Sequence, residues 1–231
     1  MAVAAVIFDL YGTLVPEFPR SAFYETVAHM ADVLGADPSR FRAEWDRTAV
    51  DRQTGAFPDG MAGNVRAICE SLALPAPTEA AIEAALAPRA AMYARWFHPR
   101  VGAVEVLTEL RAQGVPRALI SMCAPDTPAM WHASPLGGLV DVEVFSSEVG
   151  LRKPDAAIYR YATERLGVDP AACLYCGDGA YGELTGASAV GMRAFLIRPP
   201  DLNVAESLTP EPEEDWRGPV VSDLRDLLAF V

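Results

Sequence analysis

The sequence predicts an α/β protein in which a doubly wound parallel sheet carries an inserted, all-helical segment. A short apolar strand, VAAVIF, opens the chain at residues 3–8, and residues 21–97 then have helical patterns almost throughout. From residue 101 onward, amphipathic helices alternate with short apolar strands. This alternation is typical of strand–helix–strand units with parallel strands, so the strands are expected to form one parallel sheet.

Glycine and proline breaks set the bounds of the predicted elements. The four helices of the inserted segment cover residues 21–35, 39–55, 61–74 and 78–97. The later helices are predicted at 101–114, 154–167, 183–191 and 222–230, and the later strands at 116–121, 140–147, 173–178 and 193–197. The acidic, proline-rich stretch 198–219 is expected to be a surface loop.

The composition is that of a globular protein and argues against several partners. About half of the 231 residues are apolar, and the formal net charge is −12. Nucleic acids and anionic membranes both require clustered Lys and Arg, so neither is an expected partner. The first apolar stretch is too short to span a bilayer and lacks the basic segment of a signal peptide. We expect a cytoplasmic protein, present as a monomer or a homodimer.

The four cysteines are expected to be reduced thiols, as in cytosolic proteins. Cys173 and Cys176 form a C-x-x-C within the predicted strand CLYCGD. Residues three apart on a strand point to opposite faces, and no second Cys or His pair lies nearby in the sequence. We interpret both as structural thiols and not as a metal site.

Chemically active side chains lie where several predicted strands end. Asp9 follows the first strand, Ser121 ends PRALIS, and Asp178 follows CLYCG. Lys153 lies just beyond VFSSEVGLR. Because ligands of open parallel sheets bind beyond the carboxyl ends of the strands, these four residues are expected to share one site.

The acids at this site predict a bound Mg²⁺ ion. Asp9, Asp178 and Glu183 would converge, and carboxylates that close cannot all ionise without compensation. Lys153 supplies one positive charge, and a divalent cation would neutralise the remainder. All-oxygen ligation suits Mg²⁺, so we predict it as the cofactor.

A site with Mg²⁺ and a lysine would receive a small anionic substrate. Backbone N–H groups of the turn DLYGT, which contains Gly12 and Thr13, would bind phosphate oxygens. Asp9 would attack the phosphorus in line and give an aspartyl-phosphate that water later hydrolyses.

Four stretches of the chain resemble the motifs of the haloacid dehalogenase-like (HAD) superfamily in order and spacing. They are FDLYGTL with Asp9, LIS with Ser121, LRKPDAAIY with Lys153, and CGDGAYGEL with Asp178 and Glu183. The resemblance implies a Rossmann-like core formed by residues 1–14 and 98–231. It also implies a helical cap, residues 15–97, inserted after the first motif. Ser121 and Lys153 would hold the transferring group.

The same resemblance implies the remaining roles at the site. Asp9 would be both the nucleophile and a metal ligand, and the backbone carbonyl of Tyr11 would be a second ligand. Asp178 would complete the protein's metal shell, with Glu183 in or just behind it. A small substrate is expected, because a helical cap closes over the site.

Tyr11 departs from the pattern of the superfamily's phosphatases. They carry a second aspartate at this position, which protonates the leaving group. The superfamily's 2-haloacid dehalogenases have a tyrosine there and need no metal, because halide leaves without a proton. Tyr159 also fits the dehalogenase pattern. These two residues favour a metal-independent 2-haloacid dehalogenase.

Other residues favour a phosphatase. At the position of Asp178 the dehalogenases have a hydroxyl residue, and at the position of Met122 they have an asparagine. Their cap contributes an arginine soon after a tryptophan, where this chain has Asp46, with Arg47 and Arg52 close by. Both arginines are more simply interpreted as a solvated helix face, but Arg47, like Met122, is a candidate substrate-binding residue. Because the acids are retained, we predict a Mg²⁺-dependent phosphatase of a small phosphorylated metabolite.

Three roles are open for Tyr11. In the first case the substrate has a good leaving group, for example that of an acyl phosphate, and no strong acid is needed at position 11. Alternatively, Glu17, Arg20 or His98 would supply the proton. In the third case Tyr11 packs against the cap and turnover is slow. A catalytically weak or inert binding protein on this scaffold is a further alternative.

Overall fold

The structure is a computed structural model that describes residues 3–200, 206, 208 and 215–231. Within these residues six strands form one sheet: β1 (Ala5–Phe8), β2 (Arg117–Ser121), β3 (Val142–Phe145), β4 (Cys173–Gly177), β5 (Arg193–Ile197) and β6 (Val220–Val221). Their spatial order is β3-β2-β1-β4-β5-β6, and every pairing is parallel. The strand order therefore reverses at β1, which is the kind of point where open sheets bind ligands.

Helices cover both faces of this sheet and form the inserted segment. They are α1 (Arg20–Val33), α2 (Pro38–Arg47), α3 (Ala49–Gln53), α4 (Gly60–Ser71), α5 (Glu79–Trp96), α6 (Ala103–Ala112), α7 (Thr127–Ala133), α8 (Ser146–Val149), α9 (Ala156–Leu166) and α10 (Glu183–Ala189). Leu224–Phe230 forms a 3₁₀ helix that packs with α6 on one face of the sheet, whereas α9 and α10 pack on the other. The predicted doubly wound α/β fold is confirmed.

The central strands are buried on both faces. Val6 and Phe8 of β1 contribute to one apolar cluster, and Ile7 contributes to the cluster on the opposite face. Cys176 belongs to the cluster of Val6 and Phe8, and Cys173 belongs to the cluster of Ile7. The two thiols of the C-x-x-C thus point to opposite faces, as their spacing predicts, and do not form a common site.

The helices α1–α5 lie within residues 15–97, here called the cap, and have an apolar core of their own. This core includes Val27, Met30, Phe41, Trp45 and Ile68. Local capping sets two of the helix starts. The Asp37 carboxylate accepts a hydrogen bond from the Arg40 N–H before α2, and the Thr78 hydroxyl accepts one from the Ala81 N–H before α5. None of the described helices has both the length and the apolarity that crossing a bilayer requires.

Several predicted elements differ from the observed ones. The helix predicted at 39–55 divides at Thr48, whose hydroxyl donates to the Glu44 and Trp45 carbonyls. The short helix α7 was not predicted, because the prolines around it indicate a loop. Strand β6 was also missed, and the closing helix is of the 3₁₀ type. Most of the loop predicted at 198–219 lies outside the described residues.

Candidate active site

The carboxyl ends of three adjacent strands bring the predicted chemical groups together. Asp9 directly follows β1, and its N–H donates to the Cys176 carbonyl of β4 at 2.9 Å. Asp178 directly follows β4, and Ser121 is the last residue of β2. Because β2, β1 and β4 are neighbours, the three side chains lie at one edge of the sheet.

Asp9, Asp178 and Glu183 form a buried acid cluster. One carboxylate oxygen from each lies within 4.8 Å of the others. Their exposed fractions are 7%, 8% and 1%. Glu183 joins the cluster because it is the first residue of α10, immediately after the loop that follows β4. The sequence predicted this convergence from the positions of the strand ends.

Lys153 is buried among these acids and neutralises only part of their charge. Its Nζ donates to Asp9 Oδ1 at 2.5 Å and to Glu183 Oε2 at 2.6 Å. Although burial lowers the pKa of Lys153, the Asp9 and Glu183 carboxylates hold it above its ordinary value. When all three acids are ionised, one ammonium faces three carboxylates, and two negative charges have no cationic partner in the cluster.

The uncompensated charge is reflected in the pKa values of the aspartates. Burial, together with the charge of Glu183, raises the pKa of Asp9 to about 7 despite the contact with Lys153. Burial, and then Glu183 and Asp9, raise the pKa of Asp178 well above its ordinary value. Both aspartates would ionise more readily if a further cation joined them.

Backbone and phenol donors orient the acid cluster. The Tyr175 hydroxyl donates to Glu183 Oε2 at 2.6 Å, and the Gly179 N–H donates to Glu183 Oε1 at 3.0 Å. The Ala180 N–H donates to Asp178 Oδ1 at 2.9 Å. Both oxygens of Glu183 therefore already accept hydrogen bonds, which suits a supporting position behind the aspartates. The cluster's hard oxygen donors and excess negative charge fit Mg²⁺.

The turn after β1 closes directly on the acid cluster. Gly12 has a φ of +77°, and a Cβ atom added there would lie 2.2 Å from Asp178 Oδ2. The buried Arg100 holds this turn by donating from Nε to the Thr13 carbonyl at 3.1 Å and from Nη2 to the Gly12 carbonyl at 3.3 Å. The Thr13 and Ser121 hydroxyls are buried and have no hydrogen-bond partner in the described part of the chain. Oxygens of a bound anion would satisfy such donors.

A cavity of about 350 Å³ opens between cap and core beside this site. From the core it is lined by Asp9, Tyr11, Met122, Cys123, Ala124, Thr127, Ala180 and Tyr181. The cap-segment residues that line it include Glu17, Phe18, Phe23, Trp45, Arg52, Arg89 and Tyr93. This size suits a small molecule.

Tyr11 lies at the boundary between cap and core. Its ring packs against Phe18 and Phe97, with centroid distances of 5.3 and 6.0 Å. Its hydroxyl lies 2.9 Å from Thr127 Oγ1, and burial raises its pKa well above its ordinary value. Tyr11 therefore stays protonated at neutral pH. Tyr159, the second dehalogenase-like residue, donates its hydroxyl to the Glu183 carbonyl at 2.9 Å.

The structure separates the two cap arginines: Arg47 lies on a solvated helix face, as the simpler interpretation has it, whereas Arg52 does not. Arg47 is exposed, forms an ion pair with Glu44 at 2.7 Å, and does not line the cavity, because it lies on the solvent side of α2. Arg52, expected on a solvated face, is only 5% exposed and lines the cavity. Its Nη1 donates to Asn64 Oδ1 at 2.9 Å and to the Trp45 carbonyl at 3.2 Å.

An ion pair between cap and core was not predicted. Arg89 of α5 donates from Nε and Nη2 to the two carboxylate oxygens of Asp126, at 2.8 and 3.1 Å. The Tyr93 hydroxyl also donates to Asp126, at 3.0 Å. The sequence feature that could have indicated this ion pair is Arg89 itself, the one charged residue in the otherwise apolar stretch ALAPRAAMYA. Met122, a candidate substrate-binding residue, lines the cavity, and its sulfur accepts the Lys153 N–H at 3.3 Å.

Comparisons with known proteins identify relatives of this chain in sequence. The family model described as haloacid dehalogenase-like hydrolase matches residues 3–191. Phosphoserine phosphatase from Thermus thermophilus is 31% identical over 126 residues, which cover 52% of this chain and 46% of that protein. The chain covers only 30–42% of the length of the first curated relatives it matches.

Solved structures of two functional kinds share the fold. A HAD phosphatase from Thermococcus onnurineus superposes with a TM-score of 0.67 at 19% identity, over 100% of this chain and 97% of that one. An L-2-haloacid dehalogenase from Xanthobacter autotrophicus superposes with a TM-score of 0.60 at 20% identity, over 99% of this chain and 98% of that one. Identities this low show the fold alone.

Proposed function

We propose, from the premise that the chain belongs to the haloacid dehalogenase-like hydrolase family, that it is a Mg²⁺-dependent phosphatase of a small phosphorylated metabolite. The observation that carries the proposal is the buried acid cluster, in which three carboxylates face one lysine. The partial match to phosphoserine phosphatase from Thermus thermophilus supports it. The four free, buried cysteines are compatible with a cytoplasmic location.

The residues at the strand ends divide the chemistry among them. Asp9, Asp178 and the Tyr11 carbonyl would hold Mg²⁺, which when bound neutralises the acids and polarises the phosphoryl group. The Asp9 carboxylate attacks the phosphorus in line, the leaving group departs, and water hydrolyses the resulting aspartyl-phosphate. Glu183 keeps Lys153 in place against Asp9.

Hydrogen-bond donors would hold the phosphoryl oxygens during this reaction. Lys153 and the buried Ser121 hydroxyl would supply side-chain donors, and the turn would supply the Gly12 N–H, because the Thr13 N–H already donates to the Leu10 carbonyl at 3.3 Å. Preorganised donors of this kind stabilise the charge that develops in the transition state.

The proton for the leaving group comes from Glu17 in this proposal. Tyr11 is a poor acid because its pKa is raised. Arg20 and His98 are exposed and do not line the cavity, whereas Glu17 is half-buried and does. Glu17 also lies near enough to Asp178 for its charge to add to the effects of burial, Glu183 and Asp9 on the pKa of that carboxyl.

The second candidate function is that of a metal-independent 2-haloacid dehalogenase, which Tyr11 favours. Two carboxylates beside Asp9 argue against it, because they would repel the carboxylate of a haloacid. A third candidate, an inert binding protein, is favoured by neither the intact Asp9–Lys153 contact nor the buried acid cluster.

One set of assays separates these functions. Phosphate release from p-nitrophenyl phosphate and chloride release from 2-chloropropionate are measured with Mg²⁺ and with chelator, for the wild-type protein and Asp9→Asn. We expect phosphate release that requires both Mg²⁺ and Asp9. Chloride release in the presence of chelator would instead establish the dehalogenase. The absence of both, on a broader panel of substrates as well, would favour the inert protein.

A further inference from the structure

The C-terminal end of helix α3 is a place where the cap touches the core. Gln53, the last residue of α3, donates from Nε2 to the Tyr181 hydroxyl at 3.3 Å. Two residues further on, Gly55 lies so close to the core that an added Cβ atom would collide with the Ser147 carbonyl oxygen. Residues 53–55, here called the α3 end, thus contact the core through a side chain and through the backbone.

The α3 end contacts the two core segments that carry the charges of the active site. Tyr181 lies in the loop of residues 178–183, here called the acid loop, which begins at Asp178 and ends at Glu183. Ser147 belongs to α8, and the chain runs from the end of α8 through three residues to Lys153. A displacement of the α3 end would therefore act on both segments beside the acid cluster.

Tyr181 has a backbone conformation that residues with a side chain rarely adopt. Its φ is +56°, and among the described residues other than glycine only Ala73 also has a positive φ. Such a conformation is strained, and it persists where the surrounding contacts hold it, most often at functional sites. The hydrogen bond from Gln53 is the one that the Tyr181 hydroxyl forms within the described part of the chain. The cap thus helps to hold a strained residue of the acid loop.

The covalent connections between cap and core do not enforce this contact. The cap joins the core at residues 14–15 and 97–98, and the Arg89–Asp126 ion pair lies near the second junction along the chain. The α3 end lies near the middle of the cap segment, so noncovalent contacts alone hold it against the core. Substitutions can therefore weaken this contact without altering the sheet.

We propose that Gln53, Gly55 and Tyr181 are positioning residues, through which the cap holds the acid loop and the segment before Lys153 in place for catalysis. Gln53 and Tyr181 provide the hydrogen bond, and Gly55 permits the close approach of the two backbones. The inference rests on the proposed phosphatase function and adds that turnover depends on the contact of the α3 end with the core.

Gly55→Ala tests the backbone contact, and Gly35→Ala is its matched control. Both glycines lie in the cap, and their φ values of +71° and +67° add similar strain on substitution. An added Cβ at Gly35 has no atom within 4 Å, whereas at Gly55 it displaces the α3 end from Ser147. Since a misplacement of about 1 Å can cost about 100-fold in rate, we expect Gly55→Ala to lower kcat about 10- to 100-fold. Gly35→Ala should leave kcat unchanged.

Tyr181→Phe and Gln53→Leu remove the side-chain contact from its two ends. A single hydrogen bond contributes a factor of about 2 to 10, so each variant should lower kcat by that factor with little change in KM. Because both variants remove the same bond, the double variant should lose no more than either one alone. A raised KM with unchanged kcat would mean that the two residues only bind substrate and would overturn the proposal.

The matched control for the hydroxyl is Tyr161→Phe. The Tyr161 hydroxyl also accepts a hydrogen bond of 3.3 Å, from Arg165 of the same helix, and Tyr161 does not line the cavity. Both kcat and KM should be unchanged in this variant. Thermal unfolding identifies any variant that fails to fold, and the side-chain variants then replace Gly55→Ala.

Amide hydrogen exchange separates this inference from the proposed function. The Gly179 and Ala180 N–H groups donate to the carboxylates of Glu183 and Asp178, so their exchange rates report how firmly the acid loop is held. This measurement requires no substrate and no turnover.

Exchange of these two N–H groups should be faster in Gly55→Ala and in Tyr181→Phe than in the wild-type protein, and unchanged in Gly35→Ala and Tyr161→Phe. This result supports the positioning role even if no phosphate is released from any substrate. Unchanged exchange in both Gly55→Ala and Tyr181→Phe refutes the role, and phosphate release by the wild-type protein would then leave the phosphatase function standing.

Discussion

Glu17 is the residue on which the protonation of the leaving group depends in this account. We expect Glu17→Gln to lower kcat about 10²- to 10⁴-fold for an alkyl phosphate, which is the usual contribution of a general acid. The loss should be much smaller for p-nitrophenyl phosphate, whose leaving group needs no proton. Steady-state kinetics with both substrates measure this difference.

The control for this prediction is Glu25→Gln, which changes an exposed acid of the neighbouring helix α1. It should leave both rates unchanged. An equal loss with both substrates in Glu17→Gln would show that Glu17 acts on something other than the leaving group.

Arg100 is predicted to position the turn that contains Gly12 and Thr13. Arg100→Met removes its hydrogen bonds to both carbonyls. We expect the free energy of unfolding to fall by about 2–4 kcal/mol, because charge-assisted bonds to buried groups are lost. We also expect kcat to fall, because the turn no longer holds its place beside Asp178. Denaturant unfolding and kinetics measure the two effects.

Arg117→Met provides the comparison for Arg100→Met. Arg117 is also buried and donates to the Val115 and Leu139 carbonyls, but it lies at the opposite end of β2 from Ser121. It should lose similar stability while kcat is retained. A fall in kcat of equal size in both variants would mean that stability alone explains the effect.

At the scale of elements, the turn after β1 depends on a glycine for two separate reasons. Gly12 has a positive φ, and an added Cβ would collide with the Asp178 carboxylate. Gly35, between α1 and α2, has a similar φ of +67° but no atom within 4 Å of an added Cβ. We expect Gly35→Ala to lower the free energy of unfolding by about 1–2 kcal/mol, because only the strain of the left-handed conformation is added.

Gly12→Ala should lower the free energy of unfolding more than Gly35→Ala does. It should also abolish turnover, because Asp178 or the turn must move. Thermal unfolding and phosphate release of the two variants test this pair. Retained activity in Gly12→Ala would contradict the close packing of this turn on the acid cluster.

The sequence predicts elements and strand-end residues well, because both depend on local signals. Apolar runs, glycine stops and the alternation of strand and helix place Asp9, Ser121 and Asp178 at one edge of the sheet. Helix α7 was missed because its segment is rich in proline, although Pro128 is acceptable in the first turn of a helix. The division of the second helix at Thr48 depends on a side-chain hydrogen bond that periodicity does not reveal.

At the scale of the whole molecule, the cavity between cap and core was predictable only in outline. Arg89 and Asp126 are 37 residues apart in the chain and belong to different parts of the molecule, so no local pattern pairs them. The burial of Arg52 likewise depends on how α3 packs against Asn64 of α4. The site proposed at Asp9 was thus predictable from the core's motifs, whereas the cap side of the cavity depends on how the cap helices pack.

The central claim is that the buried acid cluster requires a divalent cation, and calorimetric titration of Mg²⁺ into chelator-treated protein tests it most directly. We predict one Mg²⁺ bound per chain, with binding lost in Asp178→Asn and retained in Glu70→Gln, which changes an exposed acid of α4. A wild-type protein that binds no Mg²⁺ would contradict the claim.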